Sequence, residues 1–129
     1  MFQVDTMSRQ PVYEQIINQM ERFVLSGVLR PGTQLPSVRS LSMELSINPN
    51  TIQKAYSELD LRGVIYSVPG IGCFVSENAV TLLGEHKRGK LGTLRQLVQE
   101  LALAGIPEDE VLRCVEQAYA SYDKGGTAV

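Results

Sequence analysis

Residues 48–62 carry the pattern that most restricts how this chain can fold. Asn48 is suited to cap a helix, and Pro49 fits the first helical position, where a missing N–H leaves no intrahelical bond unmade. From there, apolar residues recur at the helical period, and the opposite side carries amide, ammonium and hydroxyl groups without a carboxylate. The apolar set is Ile52, Ala55, Tyr56 and Leu59, and the polar set is Asn50, Gln53, Lys54 and Ser57. Such a helix buries one side in a core and leaves a donor-rich side free.

Two further helices are predicted before this one. The first opens at Pro11 and stops near Gly27, and the second is capped by Ser37. A Pro-Gly turn followed by a short extended segment at Gln34 and Leu35 separates the two helices.

A β-hairpin is predicted after the third helix. Residues 64–66 and 73–75 are two β-prone runs, and they bracket the turn sequence Pro69-Gly70-Ile71-Gly72. The resulting order of helix, strand, helix, tight turn, helix and hairpin is that of a winged helix-turn-helix, whose last helix enters the major groove of DNA.

The charge of the chain argues against a general affinity for nucleic acid. The formal net charge is −2, and residues 1–78 carry six Lys or Arg against seven Asp or Glu, which is a net of −1. A DNA-binding surface must therefore depend on a few placed cations and on helix N-termini.

Several short motifs coincide in order and spacing with those of one family. The runs PVYEQI, LSGVLRPGTQLPSVRSLSMEL and INPNTIQKAYSELDLRGVIYSVPGIGCFV resemble the DNA-binding domain of the GntR family of bacterial transcription regulators. The short tail looks like that of the YtrA-type branch. The resemblance implies a mainly α chain with a small β-hairpin, with a winged helix-turn-helix over residues 10–78 and a two-helix dimerisation tail over residues 79–124.

The resemblance also implies which side chains meet DNA. In the second helix these are Ser37, Arg39 and Ser40, with Arg39 contacting a phosphate or a base edge. In the third helix, Gln53 and Lys54 are the candidates for base readout, the amide toward adenine and the ammonium toward guanine or phosphate.

Three more candidates lie at the start of the third helix. Asn48, Asn50 and Thr51 place amide, hydroxyl and backbone N–H groups there, with Asn48 expected mainly as a cap. Tyr56 is expected to pack in the core.

The hairpin departs from the family pattern, in which an arginine often lies between the two glycines. Here Ile71 occupies that position between Gly70 and Gly72, and no cation lies between Ser67 and Cys73. We therefore expect the wing to offer backbone N–H groups and an apolar contact, and operator specificity to rest more on the third helix.

The tail has too much apolar surface for two isolated helices to bury. Residues 77–93 are polar and punctuated by glycine, which leaves open a linker or an earlier helix start. Beyond them, two apolar stripes are expected to form a symmetric dimer interface. The stripes are Leu94, Leu97, Val98 and Leu101, then Val111, Val115, Ala118 and Tyr119.

These patterns favour a cytoplasmic homodimeric repressor that binds operator DNA and occludes a promoter. Two alternatives remain open, a winged-helix module for protein association and the same regulator with a small-molecule effector at the dimer interface. An enzyme is not expected, because no catalytic arrangement converges on the single histidine, His86. We expect neither a cofactor nor a metal, since Cys73 and Cys114 lack ligand spacing, and no apolar run approaches the roughly 20 residues of a membrane span.

Overall fold

The structure, a computed structural model, describes the backbone of residues 1–125 and the side chains of residues 1–122. Two compact units are present, one spanning Met1–Leu83 and one beginning at Gly84. The expected mainly helical class with a small β-hairpin is confirmed. No helix within this described part is long and apolar enough to cross a bilayer. The elements in chain order are α1 (Val12–Leu25), α2 (Val38–Leu45), α3 (Pro49–Leu61), β1 (Ile65–Val68), β2 (Gly72–Val75), α4 (Ala79–Arg88), α5 (Lys90–Leu103) and α6 (Glu108–Gly125).

The helix-turn-helix is formed by α2 and α3. Ser37 caps α2, because its Oγ accepts a hydrogen bond from the N–H of Ser40 at 3.0 Å. Asn48 caps α3 in the same way, accepting from the N–H of Asn50 at 2.8 Å. Between the helices, Ser46 adopts a left-handed backbone with φ +56°. Both predicted caps are therefore confirmed, and the turn between them is short.

The wing is a two-stranded antiparallel hairpin in which Ile65 of β1 faces Val75 of β2. The segment before α2 adds to this sheet, since the N–H of Leu35 donates to a β2 carbonyl at 2.8 Å. The short strand expected there is only a single bridge, between Gln34 and Phe74. These bonds tie the wing to the chain that enters α2.

The core of the first unit lies where α1 and α2 pack against α3. The predicted apolar side of α3 is buried in this core, which also takes residues from the hairpin. Its largest fully buried side chains are Ile16, Met20, Leu41, Ile52, Leu59, Ile65 and Leu83. One side of α3 is thereby anchored, and its other side remains on the surface.

Residues 1–9, which precede the winged helix predicted from the sequence, contribute Phe2 and Val4 to this core. Phe2 is buried and meets Phe23 edge to face, with 5.4 Å between ring centroids. The amide of Gln15 accepts from the N–H of Asp5 at 2.8 Å and donates to its carbonyl at 2.9 Å. The apolar residues of this stretch, Met1, Phe2, Val4 and Met7, are too few and too irregularly spaced to form a periodic pattern, so the sequence did not indicate this packing.

Three helices follow the hairpin, where two were expected. The segment left open by the sequence is α4, and Ala79 and Leu83 on its first turns are buried in the core of the first unit. These residues are four apart and so share one side of a helix. Their burial stabilises a helix in a polar, glycine-containing segment. The first unit therefore extends past residue 78 to Leu83.

Within residues 90–122, which include α5 and most of α6, no side chain is buried. Val98 and Val111 are half-buried. The other members of the two predicted apolar stripes are exposed, and these are Leu94, Leu97, Leu101, Val115, Ala118 and Tyr119.

Candidate nucleic-acid interface

The polar side of α3 is free of the protein's own interior. Asn50, Gln53 and Lys54 are all exposed, whereas Ile52 and Tyr56 on the opposite side are at most 4% exposed. Thr51, in the first turn, is half-buried. The separation of the two sides that the sequence predicted is therefore present in the folded protein.

The start of α2 adds a second group of exposed polar side chains. Ser37, Arg39 and Ser40 are all exposed there. The N–H of Ser40 is occupied by the Ser37 cap, but the Arg39 guanidinium lies on the surface. An arginine at this place can contact a phosphate with two parallel hydrogen bonds.

An open groove of about 350 Å³ lies between α3, the start of α2 and the wing. It brings together five residues that the sequence had proposed separately, namely Ser37, Gln53, Gly70, Ile71 and Gly72. Asn50, Thr51, Lys54 and Arg39 are not among the residues that line it.

The groove also contains polar groups that sequence reasoning did not assign to DNA. Ser57 and Ser67 contribute hydroxyls, and Asp60 contributes a carboxylate. Ser57 belonged to the polar pattern of α3, but Ser67 reaches the groove only because the hairpin folds back beside the helix. Asp60 lies beyond the polar set read from the sequence, so this side of α3 is less free of negative charge than expected.

The tip of the wing presents an apolar side chain. Ile71 is 65% exposed, and its carbonyl accepts a hydrogen bond from Nε2 of Gln34 at 3.0 Å. Gly72 follows with φ +145°, and a Cβ added there would lie 2.6 Å from the same Nε2. The positive φ favours glycine here, and a Cβ would also displace the Gln34 amide from its hydrogen bond to Ile71.

The two candidates for base readout are directed differently. Gln53 lines the groove and donates from Nε2 to Oγ of Ser57 at 3.0 Å. Lys54 turns toward α1 instead, and its Nζ lies 3.9 Å from the centroid of the Tyr13 ring. Neighbouring residues of one helix therefore face different surroundings.

Few exposed cations lie on α2 and α3 to attract a phosphate backbone. Among the six Lys or Arg of residues 1–78, Arg62 is bound to two carboxylates, at 2.8 Å from Glu21 and 3.1 Å from Glu58. This cluster joins α1 to α3 and lies partly buried. The exposed cations on α2 and α3 are Arg39 and Lys54.

Tyr56 packs in the core, as the sequence predicted. It is 4% exposed, and its hydroxyl donates to the carbonyl of Pro36 at 2.7 Å. Burial, with a smaller contribution from Cys73, raises the pKa of Tyr56 above its ordinary value. The phenol is therefore a proton donor throughout the neutral range and links α3 to the residue before the α2 cap.

Among the residues that the structure describes, no group of His, Cys, Asp or Glu is arranged to hold a metal ion. Cys73 and Cys114 are both free thiols.

Comparison with known proteins gives a consistent answer. Residues 12–75 match the family described as bacterial regulatory proteins, gntR family. The HTH-type transcriptional repressor YtrA of Bacillus subtilis is 41% identical over 127 residues, covering 98% of this chain and 97% of that protein.

Two solved structures extend the comparison. A GntR family transcriptional regulator from Listeria monocytogenes superposes with a TM-score of 0.71 at 29% identity, covering 88% of this chain and 98% of that one. The AraR DNA-binding domain in complex with operator ORX1 superposes at 0.51 and 28% identity, covering 57% of this chain and 90% of that one. The relatives are transcription regulators and not enzymes. With its winged helix-turn-helix and the exposed polar side of α3, the chain belongs to the GntR family of bacterial regulatory proteins and is a DNA-binding transcription regulator.

Proposed function

We propose that this protein is a cytoplasmic homodimeric repressor that binds an operator and occludes a promoter. The observation that carries the proposal is the exposure of Asn50, Gln53 and Lys54 on a helix whose opposite side is anchored in the core. Such a helix can enter the major groove without rearrangement of the protein. A bound dimer then competes with the transcription machinery for the same DNA.

The DNA contacts divide into two kinds. Arg39, with Ser37 and Ser40 beside it, would bind the phosphate backbone and fix the register of the protein on the duplex. Gln53 would read bases, because its amide can form a bidentate pair with adenine once it releases Ser57.

The remaining candidates support these contacts. The first turn of α3, with Asn48, Asn50 and Thr51, would lie against the backbone where helix N-termini favour phosphate. The exposed side chain of Ile71, flanked by Gly70 and Gly72, would let the wing make an apolar contact with DNA in place of a charged one.

Homodimer formation is proposed from the second unit. Residues 90–122 bury no side chain of their own, yet five leucines of α5 are between 42% and 91% exposed. Apolar surface on this scale needs a covering partner, and a second copy of the chain brings an equal surface under two-fold symmetry. Two winged helices then address half-sites about one helical turn apart. The partner in this proposal is the protein itself, with no effector required.

Selection of bound duplexes from a random-sequence pool, followed by titration of the selected duplex, tests the proposal. Gln53→Ala should change preference at particular base pairs by about 1–3 kcal/mol. Arg39→Ala should weaken binding to every duplex and lower the magnitude of the salt slope by about one.

Arg22→Ala is the matched control, because Arg22 is an exposed arginine in the last turn of α1 and does not line the groove. Equal losses on every single-base variant for Gln53→Ala would remove its base-reading role. Absence of any salt-sensitive binding at micromolar protein would refute the repressor proposal as a whole.

A further inference from the structure

The contact between Lys54 and Tyr13 gives Lys54 a more definite role than its sequence position does. The Nζ of Lys54 lies 3.9 Å from the ring centroid, well inside the distance of about 6 Å at which a cation is attracted to an aromatic face. Tyr13 belongs to α1 and Lys54 to α3, so the contact joins two helices. Neither residue's neighbours in the sequence indicate it.

The position of the Tyr13 ring is restrained by packing. The ring is half-buried and packs against the core, and its hydroxyl lies 3.4 Å from Oε1 of the adjacent Glu14. An exposed lysine otherwise samples many rotamers, and ordering it on DNA costs conformational entropy. A lysine already held on a ring loses less freedom when a phosphate arrives.

The direction of Lys54 separates it from base readout. Gln53 lines the groove between α3 and the wing, whereas Lys54 is directed out of that groove toward α1. An ammonium is a compact point charge, which suits a phosphate and not the paired acceptors of a base edge. A helix that lies in the major groove has a phosphate backbone on each side of it, so an ammonium directed out of the groove between α3 and the wing is suited to a phosphate if α3 binds in this way.

We infer that Tyr13 is a positioning residue that holds the Lys54 ammonium for a DNA phosphate, so that Lys54 supplies affinity and Gln53 supplies sequence preference. The inference rests on the proposed DNA contact of α3. It assigns Tyr13 a part in operator binding through Lys54, without requiring the phenol itself to touch DNA.

Titration of the full-length protein with the selected duplex, its single-base variants and a scrambled duplex tests this role at several salt concentrations. Lys54→Ala should weaken binding to all duplexes alike and reduce the salt slope by about one. Tyr13→Leu should weaken binding about 2- to 5-fold and leave the slope unchanged, because the charge remains but is no longer held. Tyr13→Phe should bind as the natural protein does, since it keeps the ring.

Two controls separate the cation contact from packing. Phe23→Leu removes another half-buried aromatic side chain from the far end of α1 and should leave binding unchanged. Pentafluorophenylalanine at position 13 keeps the ring's shape but reverses its attraction for a cation, so it should match Tyr13→Leu even if leucine loosens α1. In the free protein, the Lys54 ε-methylene proton signals should lose their ring-current shift in Tyr13→Leu and keep it in Tyr13→Phe.

Four results would overturn the inference. They are a Tyr13→Phe loss equal to that of Tyr13→Leu, a fluorinated ring that binds normally, a Lys54→Ala effect confined to particular base pairs, and additive losses in the double variant Tyr13→Leu/Lys54→Ala. Each of these results can be obtained while the natural protein still binds its selected duplex, so each tests the inference and not the proposed function. Failure of the natural protein to bind any duplex would instead refute the proposed function.

Discussion

The hydroxyl of Tyr56 joins α3 to the chain that enters α2. It donates a hydrogen bond to the carbonyl of Pro36, which is one residue before the Ser37 cap. A single phenol therefore connects α3 to the start of α2. At the scale of one residue, a buried phenol thus contributes to the relative position of the two exposed helix starts that are proposed to bind DNA.

Replacing Tyr56 by phenylalanine should lower the free energy of unfolding by about 1 kcal/mol at neutral pH, because the hydrogen bond is lost while the ring remains. The difference from the natural protein should shrink as the pH rises above about 10. Burial raises the pKa of Tyr56, so the unfolded chain releases this proton at lower pH than the folded protein does. The free energy of unfolding of the natural protein therefore falls as the pH rises above about 10. The phenylalanine variant has no phenol at position 56, so it does not show this loss.

Urea unfolding at neutral and alkaline pH measures both effects. Tyr66→Phe, a change on the exposed side of β1, is the control and should leave the neutral stability unchanged. A Tyr56→Phe protein as stable as the natural one at neutral pH would show that the Pro36 contact contributes little.

Predictability differed among the residues of the site. The two sides of α3 follow from the helical period alone, because residue spacing decides which side chains share a helix side. The Tyr13–Lys54 contact and the place of Asp60 in the groove do not follow, because they depend on how α1 and the hairpin lie beside α3. Local pattern predicts which side is exposed, and tertiary packing decides where an exposed side chain is directed.

At the scale of elements, the wing is positioned by the segment that precedes α2. Backbone bonds near Leu35 and the amide of Gln34 hold the hairpin, and the amide bonds the carbonyl of Ile71 at the tip. The segment before α2 thus holds the wing by both backbone and side-chain bonds, although the turn of the wing carries no cation.

Gly72→Ala should disturb this arrangement more than Gly70→Ala. Gly72 has φ +145° and no space for a Cβ beside Gln34, whereas Gly70 has φ +78° and open space around it. We expect Gly72→Ala to cost about 1–3 kcal/mol of stability and to weaken operator binding. The double change Gly72→Ala/Gln34→Ala should recover only the part of the stability loss that comes from the contact between the new Cβ and the Gln34 amide. The part that comes from the positive φ should remain.

Thermal unfolding and duplex titration of the three variants give the comparison. Similar losses for the two single glycine changes would show that the Gln34 approach has no consequence for the wing.

The elements themselves were largely predictable, with two instructive exceptions. Capping residues, proline at a helix start and β-branched runs are local signals, and they placed α1 to α3 and the hairpin. The Gln34 strand is only a bridge and α4 is a full helix, because pairing with β2 and burial of Ala79 and Leu83 are decided by distant residues.

At the scale of the whole molecule, the two units differ in how they are stabilised. The first has a core that includes Phe2 near its start and Leu83 near its end. The second has no buried side chain within residues 90–122. We therefore expect the first unit to fold alone and the second to require a partner surface.

A chain ending at Arg88, after α4, should be a folded monomer that binds the selected duplex weakly. A chain ending at Ser76 should be less stable than this one by roughly 2 kcal/mol, because it loses the buried Leu83. In the full-length protein, Leu97→Glu should abolish the dimer and leave the first unit folded.

Sedimentation equilibrium and urea unfolding measure these outcomes. Glu100→Gln on the same helix is the matched control and should remain dimeric. A chain ending at Arg88 that still forms dimers would place the assembly surface in the first unit.

The lack of buried side chains in residues 90–122 also affects how an operator would respond to the amount of regulator present. If ordering of these helices and pairing of two chains occur together, the competent species grows with the square of the chain concentration when protein is scarce. Occupancy of a promoter would then rise steeply over a narrow range of expression level. A small change in synthesis or degradation could switch a gene without any small molecule.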